Sequence, residues 1–229
     1  MFRALVLSAI LSGPAAGCEL ALALAVDVSG SVDPYEYQIQ MQGLAEALRD
    51  GVVSEALVRA EAAVLLVQWT GSSRQAVTVP WTRVRNFDDV EALAQLIEND
   101  PRRWRNFSTA IGGALQYTLA QFDDAPDCKR RVIDVSGDGP SNEGPEPRDI
   151  HAALRAANIT VNGLAIEESA TELTEYFWEN LITGDGAFVV TAARFSDYPA
   201  RIRLKLQRET TRQISCAARL CREAMIEDG

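Results

Sequence analysis

The 229-residue chain carries 22 Lys and Arg against 32 Asp and Glu, a formal net charge of −10. With 47% hydrophobic and 24% charged residues it can bury a full core, which excludes global disorder, and its length fits one domain of generous size rather than two. The acidic balance argues against a nucleic-acid partner, because a phosphate backbone calls for a basic face, and the single histidine, His151, argues against His-rich metal sites and His-based triads.

Residues 1–17 begin Met-Phe-Arg, continue through the apolar run Ala4 to Leu11 and end in Ser12-Gly13-Pro14-Ala15-Ala16-Gly17. A charged start, a short apolar stretch and small residues before the cut describe a secretory signal peptide. The run is too short to span a bilayer, and no later stretch is long and apolar enough to do so. Cleavage after Gly17 leaves Cys18 first in a mature chain, 18–229, that reads as one soluble domain, periplasmic or secreted. A lipoprotein signal usually has Leu where Ala15 stands, so lipidation of Cys18 is the lesser expectation.

From there, apolar strand runs alternate with amphipathic stretches. Leu20 to Val26 is continuously apolar and reads as a strand covered on both faces. Pro34 to Leu48 has Tyr37, Met41, Leu44, Ala45 and Leu48 at helical spacing, with Asp33 as N-cap and Pro34 at the first helical position. Ala62 to Trp69 is a second strand. Gln75 to Trp81 alternates, contains Pro80 and follows a Gly71-Ser72-Ser73 turn, which predicts an edge strand in a hairpin with its predecessor. Helices are predicted over Asp88–Glu98, Ser108–Phe122, Pro147–Ala157, Thr171–Leu181 and Pro199–Arg212, and strands over Arg131–Val135, Ile159–Ile166 and Ala187–Val190. The expected fold is α/β: a doubly wound, mostly parallel central sheet with one antiparallel edge strand and helices on both faces. Ligands of such sheets collect beyond the carboxyl ends of the strands.

Four cysteines in an exported chain point to disulfides. Cys18 and Cys128 each lie just before a predicted strand, so if those strands are neighbours the two thiols start side by side and bridge. Cys216 and Cys221 then pair locally, with free thiols as the alternative. A zinc site is disfavoured by the lack of a Cys-x-x-Cys or a His partner.

Three loops carry candidate chemistry. Asp27-Val28-Ser29-Gly30-Ser31 offers a carboxylate and two hydroxyls on alternate residues, the oxygen donors that hard divalent cations take; turn chemistry and capping are the plainer reading. Thr109 stands at a helix start, where capping by Ser108 or Thr109 is the ordinary role. Asp138 follows a strong strand in Ser136-Gly137-Asp138-Gly139, where an Asp-Gly turn is the plainer reading.

Taken together these elements resemble the metal-ion-dependent adhesion site (MIDAS) of von Willebrand factor type A (VWA) domains. Asp27, Ser29 and Ser31 match Asp-x-Ser-x-Ser; Thr109 opens Thr109-Ala110-Ile111-Gly112-Gly113-Ala114-Leu115, similar to Thr-x-Thr-Gly-x-Ala-Leu; Asp138 matches the Asp of Thr-Asp-Gly. Gly137 replaces the usual Thr and Ile111 a non-ligand Thr. The Asp134–Gly139 run and the export signal look most like an uncharacterised group of bacterial VWA-like proteins. The resemblance implies Mg²⁺, or Mn²⁺ in its place, held by Asp27, Ser29, Ser31, Thr109 and Asp138. Ser29 and Ser31 would bind directly, Thr109 directly or through water, and the carboxylates mostly through water. It also implies a vacancy that an acidic side chain of a protein partner fills. The competing readings are a metal-assisted phosphohydrolase using Asp27 or Asp138, and a metal that only ties three loops together. Arg102, Arg103 and Arg105 beside Trp104 read as a solvated loop, with recruitment of an acidic ligand as the alternative. Trp69, Trp81, Trp104 and Trp178 read as packing residues, and His151 as a surface residue.

Overall fold

The computed structural model describes residues 17–224, with side chains described to residue 211. Residues 1–16 of the expected signal peptide, and the side chains of the expected Cys216–Cys221 pair, lie outside that range.

Six strands form one sheet: β1 (Cys18–Asp27), β2 (Ala63–Trp69), β3 (Gln75–Arg83), β4 (Cys128–Gly137), β5 (Ile159–Ile166) and β6 (Val189–Ala192). Their order is β3-β2-β1-β4-β5-β6, all parallel except β3, which pairs antiparallel with β2. The helices are α1 (Pro34–Arg49), α2 (Gly51–Arg59), α3 (Phe87–Glu98), α4 (Ile111–Ala120), α5 (Pro147–Ala156), the short α6 (Leu173–Tyr176) and α7 (Tyr198–Ala224). The sheet divides the core in two. Leu20, Leu22, Leu24 and Val26 of β1 face α1, α2, α3 and α7; Ala21, Ala23 and Ala25 face α4, α5 and α6. Burial on both faces is why β1 and β2 read as unbroken apolar runs rather than alternating ones.

The bridge between Cys18 and Cys128 follows from the register: the two residues are direct partners across β1 and β4, with Cα atoms 4.4 Å apart. It closes a loop of 110 residues, for which the chain-entropy model gives about 4.7 kcal/mol of stabilisation.

Several boundaries differ from the sequence expectation. α2 was not anticipated; it is a short helix started by Asp50, whose carboxylate accepts from the Val52 and Val53 N–H groups. α4 begins at Ile111 rather than Ser108 and ends in a 3₁₀ turn, Gln121–Asp123, because residues 108 and 109 are engaged elsewhere (below). The helix expected over Thr171–Leu181 is α6 followed by a π-helical turn, Phe177–Leu181. The last strand lies two residues later than expected, and α7 continues beyond Arg212. Trp178 does not pack: it is 63% exposed, whereas Trp69 is fully buried. His151 is half-buried, its Nε2 3.2 Å from the Leu181 carbonyl oxygen.

Candidate metal centre

β1 is flanked by β2 on one side and β4 on the other, so the switch in strand order falls beside its carboxyl end, where Asp27 and Asp138 emerge. Val26 is paired with Ser136, which puts the two loops that follow side by side. The β1–α1 loop ends in a reciprocal cap. Asp33 Oδ1 accepts from the Tyr35 and Glu36 N–H groups at 2.7 and 2.8 Å, and Glu36 Oε2 accepts from the Asp33 N–H at 2.6 Å. Asp33 thus caps α1, as the sequence suggests, and fixes the far end of the loop.

Four of the five expected ligands form one connected group. The Ser29 N–H donates to Asp27 Oδ1 at 2.7 Å, the Ser29 and Ser31 hydroxyls are 3.1 Å apart, and Ser31 Oγ donates to Asp138 Oδ1 at 2.7 Å. Asp27 and Ser29 are fully buried, Asp138 is 2% exposed, and Ser31 is exposed at the rim. Asp27 Oδ2 is buried with no hydrogen-bond partner. Burial first, and then repulsion from Asp138, push Asp27 up to about 8, against the Ser29 hydrogen bonds and the Arg102 charge. Burial likewise raises Asp138, against the Ser31 hydrogen bond and Arg102. Two carboxyls forced upward, an orphaned carboxylate oxygen and two hydroxyls make an all-oxygen donor set that fits a hard divalent cation.

Thr109 is 5% exposed and sits in the adjoining wall; no hydrogen bond joins its hydroxyl to the other four residues. Its backbone is fastened to the β4–α5 loop, its N–H donating to Asn142 Oδ1 at 2.9 Å and its carbonyl accepting from the Asn142 N–H at 2.8 Å. Ser108 Oγ bonds Glu143 Oε2. These contacts draw residues 108 and 109 out of the helix, so neither caps α4; Ala110 takes the cap position without a side-chain bond. The same wall meets the β1–α1 loop where the Gly30 N–H donates to the Phe107 carbonyl at 2.7 Å. A Cβ on Gly30 would lie 3.2 Å from Asn106 Cα and from the Phe107 oxygen, so any larger residue would press on this close approach.

The departure at Gly137 has a steric reason. A Cβ there would lie 3.1 Å from Asp27 Oδ2, a tight approach to the carboxylate, and 3.6 Å from the ring of the fully buried Trp69, an ordinary contact.

Sequence reading missed the part played by Arg102. It is not simply solvated: its Nη2 donates to the Val28 and Ser29 carbonyls at 3.0 and 2.8 Å, bracing the loop that carries the two serines. Its own segment is bolted down by Gln68 of β2, whose Nε2 lies 2.9 Å from Tyr37 Oη, 2.8 Å from Asp100 Oδ2 and 3.0 Å from the Pro101 oxygen, and whose Oε1 accepts from the Arg103 N–H at 2.9 Å. The available signal was a lone glutamine in an otherwise apolar strand.

This strand order, with helices on both faces and these three loops gathered at one edge, defines a von Willebrand factor type A fold. The chain belongs to the DUF1194 family, described as "Protein of unknown function", whose model matches residues 17–214. Among solved structures it is similar to proximal thread matrix protein 1 from the mussel byssus, at 20% identity and a TM-score of 0.64, over 83% of this chain and 47% of that one. That matrix protein has also been solved with a zinc-occupied MIDAS motif. The chain is similar too to a von Willebrand factor type A protein from Catenulispora acidiphila (18% identity, TM-score 0.57, 84% of this chain and 42% of that one). A third similar structure is the pilus adhesin SpaC from Lactobacillus rhamnosus GG (11% identity, TM-score 0.60, 84% and 30%). The chain thus spans about half the length of the first of these proteins or less of the others, and at such identities the likeness establishes the fold. No curated protein matches the sequence significantly.

Proposed function

We propose that this protein is an exported, non-enzymatic binding module, residues 18–229 forming one VWA domain, that grips a protein partner through a divalent cation. Asp27, Ser29, Ser31, Thr109 and Asp138 would hold Mg²⁺ or Mn²⁺. The observation that carries this reading is the buried, unpartnered Asp27 Oδ2 beside two hydroxyls and a second raised carboxyl. When bound, the cation supplies an electrophilic position for an oxygen ligand, since a site with few direct carboxylates leaves its charge largely uncompensated. Ser31 and Gly30 open to solvent at the rim, which gives an outside ligand access. The net charge of −10 would repel an acidic partner. Arg102, in the segment against this face, and Arg74, stacked 3.8 Å over the Phe107 ring, place positive charge beside the acidic Asp33, Glu36 and Asp138.

Among the described residues no group of three or more His, Cys, Asp or Glu side chains converges as a metal-ion cluster. No helix among those residues is long and apolar enough to cross a membrane.

The test is capture of a glutamate-bearing peptide by the immobilised mature chain. Binding should require Mg²⁺ or Mn²⁺, disappear in EDTA and be lost in Asp27→Ala. Metal-independent capture would contradict the reading, as would turnover of a generic phosphate ester that falls in Asp27→Ala. A chain stabilised by metal yet unable to hold the peptide would point to a purely structural ion.

A further inference from the structure

Beneath α7 lies a group of charges that the metal centre does not use. Asp134 of β4 is 2% exposed, and Lys205 and Glu209 of α7 are fully buried. Lys205 Nζ pairs with Asp134 Oδ1 and, at 2.9 Å, with Glu209 Oε1. Glu209 Oε1 also accepts from Asn162 Nδ2 of β5 at 2.8 Å, and Asn162 Oδ1 accepts from the Phe188 N–H at 3.1 Å. One oxygen of each carboxyl is therefore well served. The other two, Asp134 Oδ2 and Glu209 Oε2, are buried with no donor, and the two carboxyls lie within hydrogen-bonding reach of each other.

One ammonium neutralises one carboxylate. Two carboxylates in contact in a dry interior cannot both stay ionised at little cost, and the cheaper state keeps a proton between them. We propose that Asp134 and Glu209 share one proton, and that this proton sets how firmly α7 docks on the sheet. In the docked state Asp134 Oδ2 carries the hydrogen and donates it to Glu209 Oε2, which gives both orphaned oxygens a partner and leaves the pair with the single negative charge that Lys205 balances.

The titration behaviour agrees. Burial, and then the Glu209 charge, push Asp134 up to about 7, against the pull of Lys205. Burial works against the Lys205 charge, but Asp134 and Glu209 outweigh it, so the ammonium stays protonated. The surrounding elements do not supply a competing titration. Leu24 of β1 and Asn162 of β5 are the neighbours of Asp134 in register, and neither titrates. Tyr198, at the start of α7 and hydrogen-bonded to Ser136, is raised by burial and stays a neutral phenol. Arg130 of β4 directs Nη2 at the Glu209 backbone oxygen, and Arg208 lies 3.9 Å over the Phe188 ring. Asp50, which faces α7 through Gln207, is held below its ordinary range by that hydrogen bond and stays ionised.

A carboxyl raised in the docked state binds its proton more tightly there than when α7 is released. Docking is then strongest below the ordinary carboxylate range, weakens as pH climbs toward about 7, and levels off above it. Hydrogen exchange of the α7 amides, read by mass spectrometry on the full chain with saturating Mg²⁺ and corrected for intrinsic rates, should show protection falling by up to about tenfold per pH unit over that window, with α3 as internal reference. Glu209→Gln, whose amide can donate to Asp134 without a shared proton, should keep α7 docked and flatten the profile; Asp134→Asn should flatten it too. Wild-type α7 protection that does not change across the window, or a slope that survives in both variants, would overturn the proposal. If neither variant folds, the wild-type profile decides alone.

Discussion

Replacing both Ser29 and Ser31 by alanine should abolish Mg²⁺ and Mn²⁺ binding while the fold survives. Both side chains end in hydroxyls that meet each other at 3.1 Å between the two carboxyls, so their removal takes away two of five donors and both of those expected to touch the ion. The loss should exceed about a hundredfold in affinity, more than the removal of an outer hydrogen-bond partner usually costs. Little of the scaffold depends on them. The Ser29 N–H keeps its bond to Asp27 Oδ1, Arg102 keeps both loop carbonyls, and Asp33 keeps the α1 cap. What disappears are the Ser31–Asp138 and Ser29–Ser31 hydrogen bonds, worth about 1 kcal/mol each, against a total of about 5–15 kcal/mol for a protein of this kind. Calorimetric titration, with circular dichroism to check the fold, reads both parts. Unchanged affinity in the double variant would refute the ligand assignment.

The adjacent glycines of α4 should respond very differently to alanine. At Gly112 a Cβ would overlap the carbonyl oxygen and carbon of Pro145, at the entrance to α5. Those are backbone atoms, held in place because Pro147 begins α5 and is itself buried, so they cannot rotate aside. Gly112→Ala should therefore force α4 and α5 apart and cost about 3 kcal/mol, despite the gain in helix propensity. At Gly113 the nearest atoms are Gln75 Nε2 at 3.4 Å and Ala110 Cβ at 3.8 Å, ordinary contacts. Gly113→Ala should be neutral or stabilise by up to about 1 kcal/mol. Urea-denaturation midpoints of the two variants would show the contrast, and equal losses at both positions would remove the close α4–α5 approach as the explanation. The Gly-Gly pair in the motif around Thr109 thus holds one residue required by packing and one that is not.

How much of this was legible in the sequence depended on whether a residue acts through its neighbours in the chain or across the fold. The strands β1 and β2 could be read because burial on both faces makes them continuously apolar, and β3 because its alternation and Pro80 mark an edge. The Cys18–Cys128 bridge could be read once both cysteines stood at the starts of strands. Asp27, Ser29 and Ser31 lie within five residues, so their grouping was visible, and the structure joins them to Asp138. What could not be read were partners fixed by tertiary contact. Ser108 and Thr109 look like helix caps, but Glu143 and Asn142, more than thirty residues on, claim them and shorten α4. Arg102 looks like part of an exposed basic run, but Gln68, on a strand far earlier in the chain, turns its segment toward the Ser29 carbonyl. The buried Asp134, Lys205 and Glu209 left only faint marks: an aspartate inside an apolar strand, and an oppositely charged pair four apart on a helix.

The most direct measurement is a crystal structure of the mature chain grown with Mn²⁺, with data collected to locate the metal by its anomalous scattering. A single peak should lie among Asp27, Ser29, Ser31, Thr109 and Asp138, with Ser29 Oγ and Ser31 Oγ as direct ligands and one position held by water or by a carboxylate from another molecule. An absence of signal there at saturating Mn²⁺, or a peak held by other side chains, would contradict it.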